Sequence, residues 1–385
     1  MASRKLLITG ATGNQGGAVI DALLSSSYSF QILALTRDAS SAKAKSLAAR
    51  PNVTVVEGDS TSPAPIFSKY GPIYGVFVVT TPGKEGAEEA QATAMIKEAA
   101  KSGVEHFVFT SVDRGGAGRS EDNSTDIPQF ASKLRIEELL KEKSSGSKMQ
   151  WTILRPVSFM DNLSPDFTGR VFAVLWADLG DKPLQLISVH DVGISAARAF
   201  ADMESYKGRA ISLAGDALTL AEAKKVFKES LGYKMPETFG FMGWVIKFFV
   251  KELGTMFAWF KDEGYGADIQ ALREEEPRLQ DFGTWLKETS SKKGDIERMR
   301  KMRKEQLLYE FKVRVMQLQR AEPPRPPRVP RPNLETPAPG TAGAPRPPTP
   351  AQTPARTTPG SAGTPSAGSS AAVESAEGSL DLALL

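Results

Sequence analysis

The 385-residue sequence contains no cysteine. Disulfides, thiolate nucleophiles and cysteine-based zinc sites are thereby excluded, and the composition fits a reducing compartment. Histidine is almost as scarce: His106 and His190 are the two imidazoles available. A histidine-rich metal centre is excluded, and no metal is expected. Strong charge of one sign is also missing. A net charge of +3 is too small to argue for direct nucleic-acid binding. Long uncharged apolar runs are absent as well. The aromatic stretch 239–260 is interrupted by Lys247, Lys251 and Glu252, which predicts an amphipathic helix over a core or pocket and no transmembrane segment. The first strand begins almost at the N-terminus, so no cleavable signal peptide is expected. A cytoplasmic protein is expected, with the nucleus as the alternative location.

What the chain does carry is concentrated at its start. Lys5-Leu6-Leu7-Ile8 is a short apolar strand, Gly10-Ala11-Thr12-Gly13 a glycine turn, and Asn14-Gln15-Gly16-Gly17 the opening of a helix that continues through Ile20, Leu23 and Leu24. Gly10 can take the positive φ of a tight strand-to-helix turn, and Gly13 lets the backbone approach a pyrophosphate. Gly16 permits close helix–strand contact. The helix N-terminus offers free N–H groups and a dipole that favours an anion. Glycines at such spacing are weak evidence alone; placed between a strand and a helix, they read as a dinucleotide site.

Residues 31–37 form a second strand with Arg37 at its carboxyl end and no carboxylate immediately before it. Lys43 and Lys45 follow in the next helix. A basic residue at this place suits a ribose 2′-phosphate, whereas an acidic one would bind the 2′-hydroxyl, so NADP(H) is expected ahead of NAD(H). Candidate cofactor residues are therefore Gly10, Thr12, Gly13, Asn14, Gln15, Gly16, Arg37 and Lys43. Asp59, at the end of a third strand over 53–59, joins them as a group that would face the adenine amino group.

A fourth strand over 74–82 is continuous and apolar, as a strand buried on both faces should be. A helix over about 85–102 leads to a fifth, 106–111, which ends on Ser111. This alternation specifies an α/β fold, a Rossmann-type doubly wound parallel sheet with its core over about 4–158. Ligands sit beyond the carboxyl ends of such strands, where Gly10, Arg37, Asp59, Thr80 and Ser111 all fall. Further strands are read at 151–156, 184–189 and 210–215. A smaller substrate-side α/β lobe is expected mainly from about 159–289, with Phe159, Met160 and Asn162 lining its pocket. Phe282, Trp285 and Leu286 mark the closing helix. After Ser290 the composition changes. Residues 290–320 are basic, with Leu308, Phe311, Val315 and Leu318 at one helical stripe. Residues 321–385 are rich in Pro, Ala, Gly, Thr and Ser and are expected to be disordered.

Several stretches together resemble the NmrA-like family, an atypical branch of the short-chain dehydrogenase/reductase superfamily. They are residues 8–17, Leu35-Thr36-Arg37, residues 151–162, residues 187–193 and Glu263-Gly264-Tyr265-Gly266-Ala267-Asp268-Ile269. The resemblance covers about residues 4–289 and nothing beyond. It implies a Rossmann-type domain that prefers NADP(H) in some members, and a nucleotide-sensing regulator that acts through a protein partner such as a transcription factor. Relatives similar to isoflavone reductase are true reductases.

One helix separates the two branches. Catalytic short-chain dehydrogenases carry a Tyr and, four residues later, a Lys; the Lys holds the nicotinamide ribose while the Tyr transfers the proton, and a Ser on the fifth strand polarises the substrate. The matching helix here reads Pro128-Gln129-Phe130-Ala131-Ser132-Lys133. Lys133 and Ser111 are in place as cofactor-side residues, but Gln129 stands where the Tyr would be, and an amide cannot deliver a proton. The expectation is an NADP(H)-binding regulator. The alternative is an NADPH-dependent reductase with Lys133 as its general acid.

Overall fold

Leu6, Leu7 and Ile8 are fully buried because β1 (Arg4–Ile8) lies inside a seven-stranded sheet. The computed structural model describes residues 4–81, 83–163, 167–235 and 251–291. The basic segment and the Pro-rich tail read above lie outside the described residues, as do residues 239–250 of the aromatic stretch. The large sheet contains β1, β2 (Phe30–Thr36), β3 (Val53–Glu57), β4 (Gly75–Val78), β5 (His106–Thr110), β6 (Gln150–Pro156) and β9 (Arg209–Leu213). Its spatial order is β3-β2-β1-β4-β5-β6-β9, and every neighbouring pair is parallel. The order reverses between β1 and β4, so the crevice that a doubly wound sheet opens to a ligand lies at their carboxyl ends.

Helices cover both faces, as the continuous apolar strands require. On one face α1 (Asn14–Ser25) packs on α7 (Val189–Ala201). They approach closely because Gly193 carries no side chain: a Cβ there would lie 2.5 Å from the Ala18 carbonyl oxygen. After α2 (Ala42–Ala48), the other face takes α3 (Ala64–Tyr70), α4 (Ala87–Lys101) and α5 (Pro128–Ser144). Ile66, Phe67, Met95, Ile96, Ile136 and Leu140 supply its core.

A second sheet of three short strands stands apart from the first. Its order is β10 (Asp216–Leu218), β8 (Leu184–Ile187), β7 (Ser158–Phe159). The strand read at 184–189 thus joins this small sheet, whereas the one read at 210–215 returns to the large sheet. With α6 (Phe167–Trp176), α9 (Leu220–Leu231), α10 (Lys251–Asp262) and α12 (Phe282–Ser291), the small sheet encloses a separate aromatic core. Two short helices, α8 (Met203–Tyr206) and α11 (Ile269–Glu275), complete the set. Phe282, Trp285 and Leu286 are buried on the closing helix α12. Among the described residues no helix is long and apolar enough to cross a membrane, and no group of three side chains could hold a metal.

Candidate functional site

The crevice between β1 and β4 is a cleft of about 510 Å³. Its floor is the glycine turn. Gly10 has φ +58°, and a Cβ there would meet the Val79 side chain at 2.6 Å. Gly13 donates to the Gly10 carbonyl at 2.8 Å, and Gly17 to Gly13 at 3.0 Å. A Cβ on Gly16 would stand 2.3 Å from the Gly10 oxygen, so the turn closes only with glycine at that place. No side chain caps α1, and its first turn carries no acidic residue. The N–H groups of Asn14, Gln15 and Gly16 therefore remain available to an anion at the helix N-terminus. The Thr9 hydroxyl accepts from Val79 N at 2.9 Å and donates to Val79 O at 3.2 Å, locking β1 to β4 beside the turn.

The wall beyond the turn is polar. Gly10, Thr12, Gly13, Arg37 and Asp59 of the expected set line the cleft, together with Asp38, Ser41, Thr61, Thr81 and Gln91. Asp59 accepts from Thr61 N at 2.8 Å. Asp38, next to Arg37, is turned into its own loop: it accepts from the Ser40 hydroxyl at 2.6 Å and the Ser40 N–H at 2.8 Å. Those bonds hold its carboxyl below the usual range. Arg37 is exposed, and no ion pair holds its guanidinium among the described residues. Lys43 is exposed on α2 and does not line the cleft.

Ser111 and Lys133 lie on the α4–α5 side of the sheet. Side chains alternate along a strand, and the end of β5 shows the consequence. Thr110 donates to Gln15 on α1 at 2.8 Å, whereas the next residue, Ser111, donates to Glu137 on α5. Glu137 is fully buried and also takes two bonds each from Arg114 (both 3.1 Å) and Arg155 (3.2 and 2.6 Å). Two guanidiniums around one carboxylate leave a positive charge, which Glu121 balances through Arg155 at 2.9 Å. Lys133 is buried and paired with Glu88 at 2.9 Å; its ammonium also donates to the Thr80 hydroxyl. Gln129, four residues before it, lines a second cleft of about 720 Å³ between α5 and the β4–α4 connection, with Lys84, Glu85 and Arg135. The second cleft is the larger, but it lacks the glycine turn that could receive a phosphate.

Phe159, Met160 and Asn162 are buried, at 3, 0 and 6% exposure. Phe159 belongs to the core under the large sheet and Met160 to the aromatic core of the lobe. The Asn162 amide nitrogen has no hydrogen-bond partner. Sequence reasoning passed over the residue that ties the lobe to the sheet. Asp113, fully buried, accepts from Gly116 N at 3.0 Å, Ser212 at 2.6 Å and Gly266 N at 2.9 Å. A lone Asp-Arg-Gly-Gly loop gives no sign of this, because its partners lie up to 153 residues away. Tyr265, next to Gly266, packs edge-to-face with Trp259 and tilted against Phe260, with its hydroxyl 3.4 Å from Ser158. Burial pushes its phenol above the ordinary range.

A parallel sheet in this order, with an uncapped helix N-terminus behind a glycine turn at the strand reversal, defines a Rossmann-type α/β protein. The NmrA-like family model matches residues 2–300, and the chain belongs to that family. It is 24% identical over 312 residues to an NmrA-like family domain-containing protein of Dictyostelium discoideum, covering 75% of this chain and 99% of that one. It is 27% identical over 266 residues to the nitrogen metabolite repression protein nmr of Neurospora crassa. That match covers 60% of this chain and 53% of the relative, so the chain spans about half the length of that protein. Among solved structures, the triphenylmethane reductase of Citrobacter sp., in complex with NADP(H), shares the fold. Its TM-score is 0.60 at 18% identity, over 74% of this chain and 99% of the compared one.

Proposed function

We propose that the chain binds NADP(H) in the β1–β4 cleft and works as a nucleotide-responsive regulator that acts through a protein partner. The residues present fit the cofactor: only glycine closes the turn at Gly16, and the uncapped N-terminus of α1 suits a pyrophosphate. Arg37 is assigned to the 2′-phosphate, Asp59 to the adenine and Lys133 to the nicotinamide ribose. When bound, the cofactor supplies a hydride; the question is whether this chain supplies a proton beside it.

The observation that carries the regulator reading is the state of that proton-donor position. Gln129 replaces the Tyr, Lys133 is ion-paired with buried Glu88, and the Ser111 hydroxyl is committed to Glu137. The proton donor of a short-chain dehydrogenase is thus replaced by an amide, and the Lys and Ser that would stand beside it are each bound to a buried carboxylate. The name of the Neurospora relative, a repression protein, supports the same reading, and a transcription factor is the partner class it suggests. Such a protein would work in the cytoplasm and the nucleus.

The reductase neighbour supports a second reading, in which Lys133 is the general acid. NADPH consumption against a panel of aldehydes, enones and quinones separates the two. We expect no sustained turnover in the wild type, and none created by Gln129→Tyr. Sustained turnover that Lys133→Ala abolishes would establish the reductase.

A further inference from the structure

The β4–α4 connection lies between the two clefts. Val79 and Thr81 line the first, and Gly83, Lys84, Glu85 and Gly86 line the second. Helix α4 touches both, with Glu88 at the second cleft and Gln91 at the first. Gln91 grips the connection by accepting from Thr81 N and donating to Thr81 O, both at 3.1 Å. Behind it, Thr80 donates to Glu88 at 2.8 Å, and Lys133 reaches both side chains. All three are nine-tenths buried. A second ion pair, Arg135 with Glu89 at 2.5 Å, joins the same two helices on the outside.

Lys133 thus gives to Glu88 the ammonium assigned above to the ribose. We propose that Glu88 competes with the nicotinamide ribose for Lys133, so that filling the first cleft releases the first turn of α4 and reshapes the second cleft. The inference rests on the dinucleotide site proposed above. A buried carboxylate that loses its counter-charge is costly to keep buried. Glu88 has an exit, because it already borders the second cleft, and the turn before it is bounded by Gly83 and by Gly86 at φ +77°. Nucleotide occupancy is thereby written onto an outer surface that a partner can read. By linkage, a partner that prefers the released form of α4 tightens the nucleotide in equal measure.

The test is NADPH titration of the full chain by calorimetry, paired with hydrogen exchange of residues 83–89. Glu88→Gln removes the competing charge while keeping its shape, and should bind NADPH about tenfold more tightly than the wild type. Glu89→Gln breaks the outer pair across the same helices and should leave affinity unchanged. In the wild type, NADPH should raise exchange at 83–89; in Lys133→Met it should not. Equal or weaker binding by Glu88→Gln, with exchange at 83–89 indifferent to NADPH, overturns the competition. If Glu88→Gln fails to fold, the exchange response of the wild type decides alone. A wild type that binds no NADPH sinks the cofactor site itself.

Discussion

His106 shows how burial alone sets a charge state. Its Nε2 lies 2.8 Å from the Thr152 hydroxyl, which spends its single proton on the Tyr206 carbonyl, also at 2.8 Å. His106 must therefore donate from Nε2. Its Nδ1 is buried without a partner, so a second proton would sit there unsatisfied. Burial pushes the imidazole down to about 4, from an ordinary 6.5. The folded value lies below the unfolded one, so this contribution is intact above pH 6.5 and is lost as pH falls toward 4. The loss should total about 3 kcal/mol. Urea unfolding at pH 7 and pH 5 checks it: His106→Leu should show a shallower loss of stability between the two than the wild type. Parallel losses would show that His106 titrates normally.

At the scale of elements, the glycine turn makes a prediction from two adjacent positions. Gly16→Ala puts a methyl 2.3 Å from the Gly10 oxygen, which is backbone and cannot give way. It should cost about 1–3 kcal/mol of stability and abolish tight NADP(H) binding. Gly17→Ala meets the Ala11 oxygen at 3.7 Å, an ordinary contact. There the gain in helix propensity should stabilise the fold by up to about 1 kcal/mol. Thermal melts of both variants decide the matter, and equal effects would mean that the turn is not closed as described.

These elements were legible in the sequence because parallel strands buried on both faces read as apolar runs, and the turn glycines follow one directly. The small sheet was not. Leu184–Ile187 is as apolar as a core strand, and its placement depends on which strand it meets, not on its own pattern. Nor was the fate of the charged residues on α5. Lys133, Glu137 and their neighbours look like a solvated helix face until Glu88, Arg114 and Arg155 arrive from distant elements. Nor did the sequence show that the Ser111 hydroxyl is committed to Glu137, while Thr110, one residue earlier and so on the opposite face, meets Gln15 of α1.

At the scale of the molecule, the large sheet and its glycine turn offer a nucleotide site, and the groups that would do chemistry beside it are bound elsewhere. Asp113 fixes the lobe against that sheet edge through Gly266. The account stands or falls on the nucleotide. Charge-assisted bonds to the 2′-phosphate are worth roughly 1.5–3 kcal/mol each, and about 1.4 kcal/mol is a factor of ten in affinity. Calorimetric titration of wild type and Arg37→Ala with NADP(H) and NAD(H) therefore tests it most directly. The account predicts NADP(H) binding to the wild type at micromolar or tighter affinity. It predicts a loss of about tenfold or more for NADP(H) in Arg37→Ala, with NAD(H) nearly unchanged. Equal losses for the two nucleotides, or no binding of either by the wild type, would contradict it.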